Sequence, residues 1–114
     1  MNEVDAINNP TQLFRKINNK DWKGALKVIK HNPVEAIIWI SRHDDNGQLL
    51  WKYLPLHLLC LNDNPINEEL FMTVLNSYPE SASIPTPHDG NLPMHYLCES
   101  GCDDKYIFDA LIRA

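Results

Sequence analysis

The sequence lacks a long hydrophobic run and has few cysteines and glycines, and each shortage excludes a class of protein. The longest apolar stretches, 36–40 and 58–61, are far shorter than the ~20 residues of a membrane-spanning helix. Three cysteines do not make the disulfide framework of a small secreted domain, and no signal peptide is visible at the N-terminus. The four glycines form no phosphate-binding loop motif. We therefore expect an intracellular globular protein, cytoplasmic or nuclear, that has no membrane partner.

Basic residues are also scarce. The chain has ten Lys and Arg residues and fifteen Asp and Glu residues, and the net charge of -5 argues against nucleic acid as a partner. The charge is uneven, because residues 1–31 carry six basic and three acidic side chains whereas residues 32–114 carry four and twelve. An acidic body of this kind favours a protein partner that presents a basic patch.

A block of seven residues occurs twice in the chain, 38 positions apart. Residues 54–60 read LPLHLLC and residues 92–98 read LPMHYLC, so the two copies differ only at the third and fifth positions. A turn pair precedes each copy, Asn46-Gly47 in one case and Asp89-Gly90 in the other. Internal repetition of this kind is typical of folds that stack similar units.

Each copy predicts a pair of helices. Pro55 and Pro93 suit the first position of a helix, where the missing N–H costs nothing. A polar break follows, at 62–65 and at 100–104, and then apolar residues recur at helical spacing. Two more helices are predicted near 11–19 and 21–31, and the segments 31–36 and 77–82 each close a helix with proline. The apolar positions of the two longer helices are Leu70, Phe71, Val74 and Leu75, and Ile107, Phe108, Leu111 and Ile112.

The repeated block resembles the signature of the ankyrin repeat family, T-P-L-H-x-A within ~33 residues. The chain departs from it where leucines replace Thr (54 and 92) and Ala (59 and 97), and its spacing is longer, at 62–65 and 84–88. The resemblance implies an all-α, ankyrin-like solenoid of about three helical-hairpin repeats joined by extended finger loops. A degenerate N-terminal repeat would occupy 1–44, a second 45–83, and a third, which we expect to be truncated, 84–114.

The same resemblance assigns structural roles to the repeat signature. Each histidine would be a buried ring bonded to the turn backbone, and each cysteine a small core residue. These signature residues are Pro55, His57, Cys60, Pro93, His95 and Cys98.

The two H-x-x-C pairs also contain the ligand types of a zinc site. Equivalent helices in a stack lie ~8–10 Å apart, however, and zinc reaches only ~2.0–2.3 Å to each ligand. No nucleophile motif is present, Cys102 lies beside two carboxylates that disfavour a thiolate, and His43-Asp44-Asp45 is typical of a solvated loop. We expect no catalytic residue, no metal and no cofactor, and hence no enzyme.

The insertion at 48–53 places aromatic residues on the first finger, and aromatic side chains on loops are favoured contacts for a partner. An alternative is that Trp51 packs on Trp39 and closes the finger over the first repeat. The candidate binding residues are Leu50, Trp51, Tyr53, His43, His88 and Asp89.

The resemblance implies a non-catalytic protein–protein interaction module. One alternative is a structural subunit or spacer of a larger assembly. Another is a metal- or redox-responsive module that uses Cys60, Cys98 and Cys102. The apolar residues of the last helix lie on more than one face, so we expect further repeats beyond residue 114 or another chain against this edge.

Overall fold

Six α-helices, two 3-10 helices and a three-stranded sheet form the computed structural model, which describes residues 3–61 and 65–114. The elements of the first half are β1 (Glu3–Asp5), α1 (Gln12–Asn18), α2 (Trp22–His31), a 3-10 helix (Pro33–Ile37), β2 (Trp39–His43) and β3 (Leu49–Tyr53). Those of the second half are α3 (Pro55–Leu61), α4 (Glu68–Ser77), a 3-10 helix (Pro79–Ser83), α5 (Pro93–Glu99) and α6 (Lys105–Arg113).

The helices begin where the sequence predicts them. Helices α3 and α5 start at Pro55 and Pro93, and the two N-terminal helices lie within 11–19 and 21–31 as expected. Prolines also open both 3-10 helices, which confirms that proline closes the preceding helix in each case. The other four α-helices each have a side-chain N-cap that accepts a backbone N–H of the first turn, which stabilises the helix start. These caps are Thr11, Asp21, Asn67 and Asp104.

The prediction of an all-α fold with extended finger loops is wrong. Strands β2 and β3 pair antiparallel, with Ile40 opposite Tyr53, and β1 pairs parallel with β2 at the outer edge, giving the order β1-β2-β3. The Asp44 carboxylate closes the β2–β3 turn by accepting the N–H groups of Asn46 and Gln48, and Gly47 takes the positive φ that the turn requires. The expected first finger is therefore a hairpin within a sheet.

The helices form two layers around one core. Helix α3 packs between α1 and α5, and α4 packs between α2 and α6. The radius of gyration is 13.2 Å, about the value for a globular domain of this length, so the chain is a compact α/β globule and the expected ankyrin-like solenoid is wrong. The sheet covers one end of the α1–α3–α5 layer, where β3 leads directly into α3.

The predicted polar break at 62–65 falls mostly outside the described residues, of which only Pro65 belongs to it. Among the helices of the described ranges, none has the length and hydropathy required to cross a lipid bilayer.

Candidate functional site

The β2–β3 hairpin presents most of the predicted binding residues. Side chains alternate along β3, so Trp51 and Tyr53 lie on one face of the sheet and Leu50 and Lys52 on the other. Leu50 is 49% exposed near the turn, whereas Trp51 and Tyr53 are half-buried. The hairpin therefore has an accessible tip and an aromatic base.

The aromatic base is a row of rings in contact. Trp51 stacks on Tyr53 with 5.3 Å between ring centroids, and its ring also lies 6.4 Å from Phe14 of α1. Tyr53 makes edge contacts with His88 at 4.9 Å and with Tyr96 at 5.7 Å. Tyr53 is thus held from several sides, while Trp51 forms the outer part of the row.

Trp39 takes a different place from the one expected. Its ring stacks on His57, with centroids 5.8 Å apart, and the Lys52 ammonium lies 5.5 Å from its centroid. The same ammonium forms an ion pair with Glu3 at 2.7 Å, which ties β1 to β3 across the sheet. Trp39 therefore secures the sheet to α3, and the expected packing of Trp51 on Trp39 is replaced by contacts with Tyr53 and Phe14.

His57 is a structural residue at the centre of this region, as expected from the repeat signature. Its Nδ1 accepts the N–H of Leu54 at 3.0 Å, and its Nε2 donates to the carbonyl of Ile84 at 2.7 Å. This pattern requires the neutral ring, and burial lowers the pKa of His57 although the bond to Ile84 acts in the opposite direction. His57 thereby fixes the start of α3 to the segment that precedes α5.

The second copy of the signature differs. The ring of His95 accepts the N–H of Leu92 at 2.9 Å, as His57 does with Leu54, but His95 is exposed. Cys98 is exposed as well, whereas Cys60 is fully buried. The expectation of a buried His95 and a core Cys98 is wrong because α5 lies at the edge of its helix layer.

Asp89 organises the turn before α5. Its Oδ1 accepts hydrogen bonds from Tyr96 Oη at 2.6 Å, from the N–H of Asn91 at 3.1 Å and from the Thr86 hydroxyl. Burial acts to raise the pKa of Asp89, but these hydrogen bonds outweigh it and hold the pKa below its usual value. Burial and the bond to Asp89 raise the pKa of Tyr96. The carboxylate therefore locks Tyr96, which in turn supports Tyr53.

His88 protects the free edge of β3. Its Nδ1 accepts the N–H of Lys52 at 3.2 Å, and its Nε2 lies 3.4 Å from the Asp89 carboxylate. Because β3 is the last strand of the sheet, this bond covers a backbone donor that points away from β2. Of the predicted binding residues, His88 and Asp89 thus position the aromatic row.

A shallow groove continues the aromatic row onto the helices. It has a volume of about 220 Å³ and lies between α1 and α3, with Phe14 as the residue that it shares with the row. Leu61 is 36% exposed at its wall, and Leu58 is half-buried there. We name the four side chains that connect the row and the groove the apolar strip: Phe14, Trp51, Leu58 and Leu61.

Only one member of the apolar strip, Trp51, was predicted as a binding residue. The structure brings together Trp51, Tyr53, His88 and Asp89 but leaves Leu50 on the other face of β3 and His43 exposed beside the turn. A signal for Leu58 and Leu61 was present, since α3 is apolar at six of its seven positions and a short helix in one layer cannot bury every side.

The two ends of the apolar strip differ in charge. Lys20 lines the groove at the α1 end. At the other end Asp89 lies beside the aromatic row, because its carboxylate accepts the Tyr96 hydroxyl and lies 3.4 Å from His88. Burial raises the pKa of Tyr53, and the charge of Asp89 adds to this effect. The strip therefore has a basic end and an acidic end.

The described residues contain no group of three or more His, Cys, Asp and Glu side chains arranged to hold a metal ion. Burial raises the pKa of the Cys60 thiol, so this thiol is kept protonated within the core. No protein-family model, no curated protein and no solved structure matches the chain.

Proposed function

We propose that this chain is a protein-binding module whose apolar strip receives an extended or helical segment of another protein. The observation that supports this proposal is the continuity of the strip across α1, β3 and α3, beside a groove of about 220 Å³. Apolar and aromatic side chains that remain accessible on a folded surface are typical of interaction sites.

The aromatic part of the strip is positioned by contacts within the fold. Tyr53 supports Trp51 and is itself fixed by contacts with His57, His88 and Tyr96. A preformed surface loses less conformational entropy on binding, so more of the contact energy is available for affinity. The tight hydrogen bonding of His57 and Asp89 thus serves recognition indirectly, by holding the surface in one shape.

The charges at the two ends define the chemistry of the partner. A segment that lies along the strip meets Lys20 at one end and Asp89 at the other. We infer an apolar or aromatic centre with basic residues over the acidic end, which agrees with the excess of acidic residues in 32–114.

Selection of peptides from a random display library on the immobilised protein tests this proposal. The Leu61→Glu variant places a charge in the groove and is expected to lower the affinity for the selected peptides at least about tenfold. The reason is that an unpaired charge must be desolvated in an apolar contact. Val34→Glu is the matched control, since Val34 is 56% exposed on the first 3-10 helix and does not line the groove.

Binding is measured by titration calorimetry, after unfolding curves have shown that both variants fold. The proposal is supported if the selected peptides have an apolar centre and a basic end, and if Leu61→Glu lowers their affinity while Val34→Glu does not. Equal affinity for the wild type and Leu61→Glu, or equal weakening by Val34→Glu, contradicts it.

A further inference from the structure

A second and larger depression lies away from the apolar strip, between α4 and α6. Its volume is about 560 Å³, and Met72, Leu75 and Pro79 supply its apolar side. Tyr106 and Ala110 of α6 form the facing side. We name the depression and its walls the α4–α6 groove.

Helix α6 has one face in the core and another along this groove. Ile107 and Leu111 are buried against the rest of the protein. Tyr106, Ala110 and Arg113 follow one another at spacings of four and three, so they share a second face of the helix. Tyr106 is 54% exposed on this face, a large aromatic surface that the fold leaves uncovered.

The charges on this face are of opposite sign and have no ion-pair partner within the described ranges. Asp109 and Arg113 both line the α4–α6 groove, and neither belongs to an ion pair of the structure. A partner of a single charge sign would satisfy one of these groups and repel the other. A second copy of the same surface, turned by a two-fold axis, satisfies both.

We propose that the α4–α6 groove binds the same groove of a second copy of this chain, with the two α6 helices antiparallel. In this arrangement residues related about the centre of 106–113 face each other, so Tyr106 lies opposite Arg113 of the second copy. Asp109 lies one helical turn from Tyr106 on the same helix, and its carboxylate is within reach of the same guanidinium of the second copy. Each copy thus supplies an aromatic ring and a carboxylate to the arginine of the other.

The size of the side chains agrees with this pairing. Ala110 at the middle of the face allows the helix axes to approach to about 8 Å, the short end of the range for packed helices. The groove volume of about 560 Å³ accommodates a tyrosine ring from the opposing copy. One helix pair and its flanks bury less than a standard interface of about 1,600 Å², so we expect a dimer of about micromolar affinity.

Sedimentation equilibrium of the purified chain, between about 1 and 500 µM, tests the proposal over the range of such affinities. Asp109→Arg and Arg113→Asp are each expected to raise the dimer Kd at least about tenfold, because each places like charges opposite each other. The double variant that carries both changes restores opposite charges but not the contact of the guanidinium with Tyr106, so its Kd is expected to lie between that of the single variants and that of the wild type.

Two controls separate association from folding and from the proposed binding function. Thermal unfolding at low concentration reports whether a charge reversal destabilises the monomer, and Lys27→Glu changes an exposed charge on α2 by the same amount. Leu61→Glu leaves this face intact and is expected to dimerise as the wild type does, whatever its effect on peptides. A monomer at every concentration, or a dimer unchanged by both single reversals, overturns the proposal.

Discussion

The two copies of the seven-residue motif open helices α3 and α5, and yet these helices occupy different environments. In α3 both ring nitrogens of His57 are hydrogen-bonded, and the residue has no exposed surface. In α5 His95 repeats the bond to the residue three positions before it but is otherwise exposed. Cys60 and Cys98 differ in the same way, buried in α3 and exposed in α5.

The repeated motif therefore specifies a local structure and not a degree of burial. The shared bond, from the residue before proline to the histidine, closes the first turn of each helix and needs only the heptapeptide. The second bond of His57 needs Ile84, 27 residues away, together with neighbouring helices on both sides of α3. Local capping is thus repeated, whereas the tertiary contacts are made once.

The largest difference is expected in stability. His57→Ala leaves the buried N–H of Leu54 and the carbonyl of Ile84 without a partner and opens a cavity among aromatic rings, so it should lower the free energy of unfolding by about 3–5 kcal/mol. His95→Ala removes one bond at an exposed site and should cost about 1 kcal/mol. Urea unfolding followed by circular dichroism measures both values. Equal losses would show that the two copies are energetically equivalent.

A second expected difference is in thiol reactivity. Cys98 is exposed and should react with a disulfide reagent at a rate close to that of a free thiol, whereas Cys60 is buried and protonated and should react at least about 100-fold more slowly. The time course of thiol titration in buffer, compared with that in urea, measures both rates in a Cys102→Ser background, where these are the two remaining thiols, and Cys98→Ser identifies the fast phase. A Cys60 that reacts as fast as Cys98 would mean that α3 opens readily.

The smallest expected difference lies in the pH dependence. The pKa of His57 is lowered in the folded protein, so below the ordinary value of 6.5 the unfolded chain binds a proton that the native chain does not. This contribution to stability is complete above pH 6.5 and is lost as the pH falls towards the folded pKa.

Unfolding curves between pH 7.5 and 5 measure this loss, and the comparison is made with two variants, His57→Gln and His95→Gln. The first lacks the titrating ring and should lose less stability over this range than the wild type, while the second keeps His57 and with it this contribution. Parallel curves for the wild type and His57→Gln would assign the acid sensitivity to other groups.

The sequence predicted the helices of this fold better than its strands. The helices at 12–18, 22–31, 55–61 and 93–99 were predicted because proline starts and apolar spacing act within a few residues. The sheet was missed because β1 and β2, which pair with each other, are about 36 residues apart. Neither segment has a residue pattern that identifies its partner. The hairpin was interpreted as a finger loop although its aromatic residues favour strands.

Some residues of the candidate site could be predicted from the sequence and others could not. Trp51, Tyr53, His88 and Asp89 were identified from residue type and from their place beside turns, and the structure brings them together. Phe14 and Leu61 were not identified, because each has the pattern of an ordinary helix residue until α1 and α3 are packed side by side. Accessibility is a property of the packed layers, and a one-dimensional pattern does not contain it.

Three features follow from covalent neighbours and from composition: the starts of the helices, the bond by which each histidine caps its own helix, and the acidic character of residues 32–114. Packing between elements produces the α/β globule, buries one copy of the motif while the other stays exposed, and leaves an apolar strip on the surface. Those features arise from contacts between distant segments, whose free energy depends on the whole set of neighbours and not on any one stretch of residues.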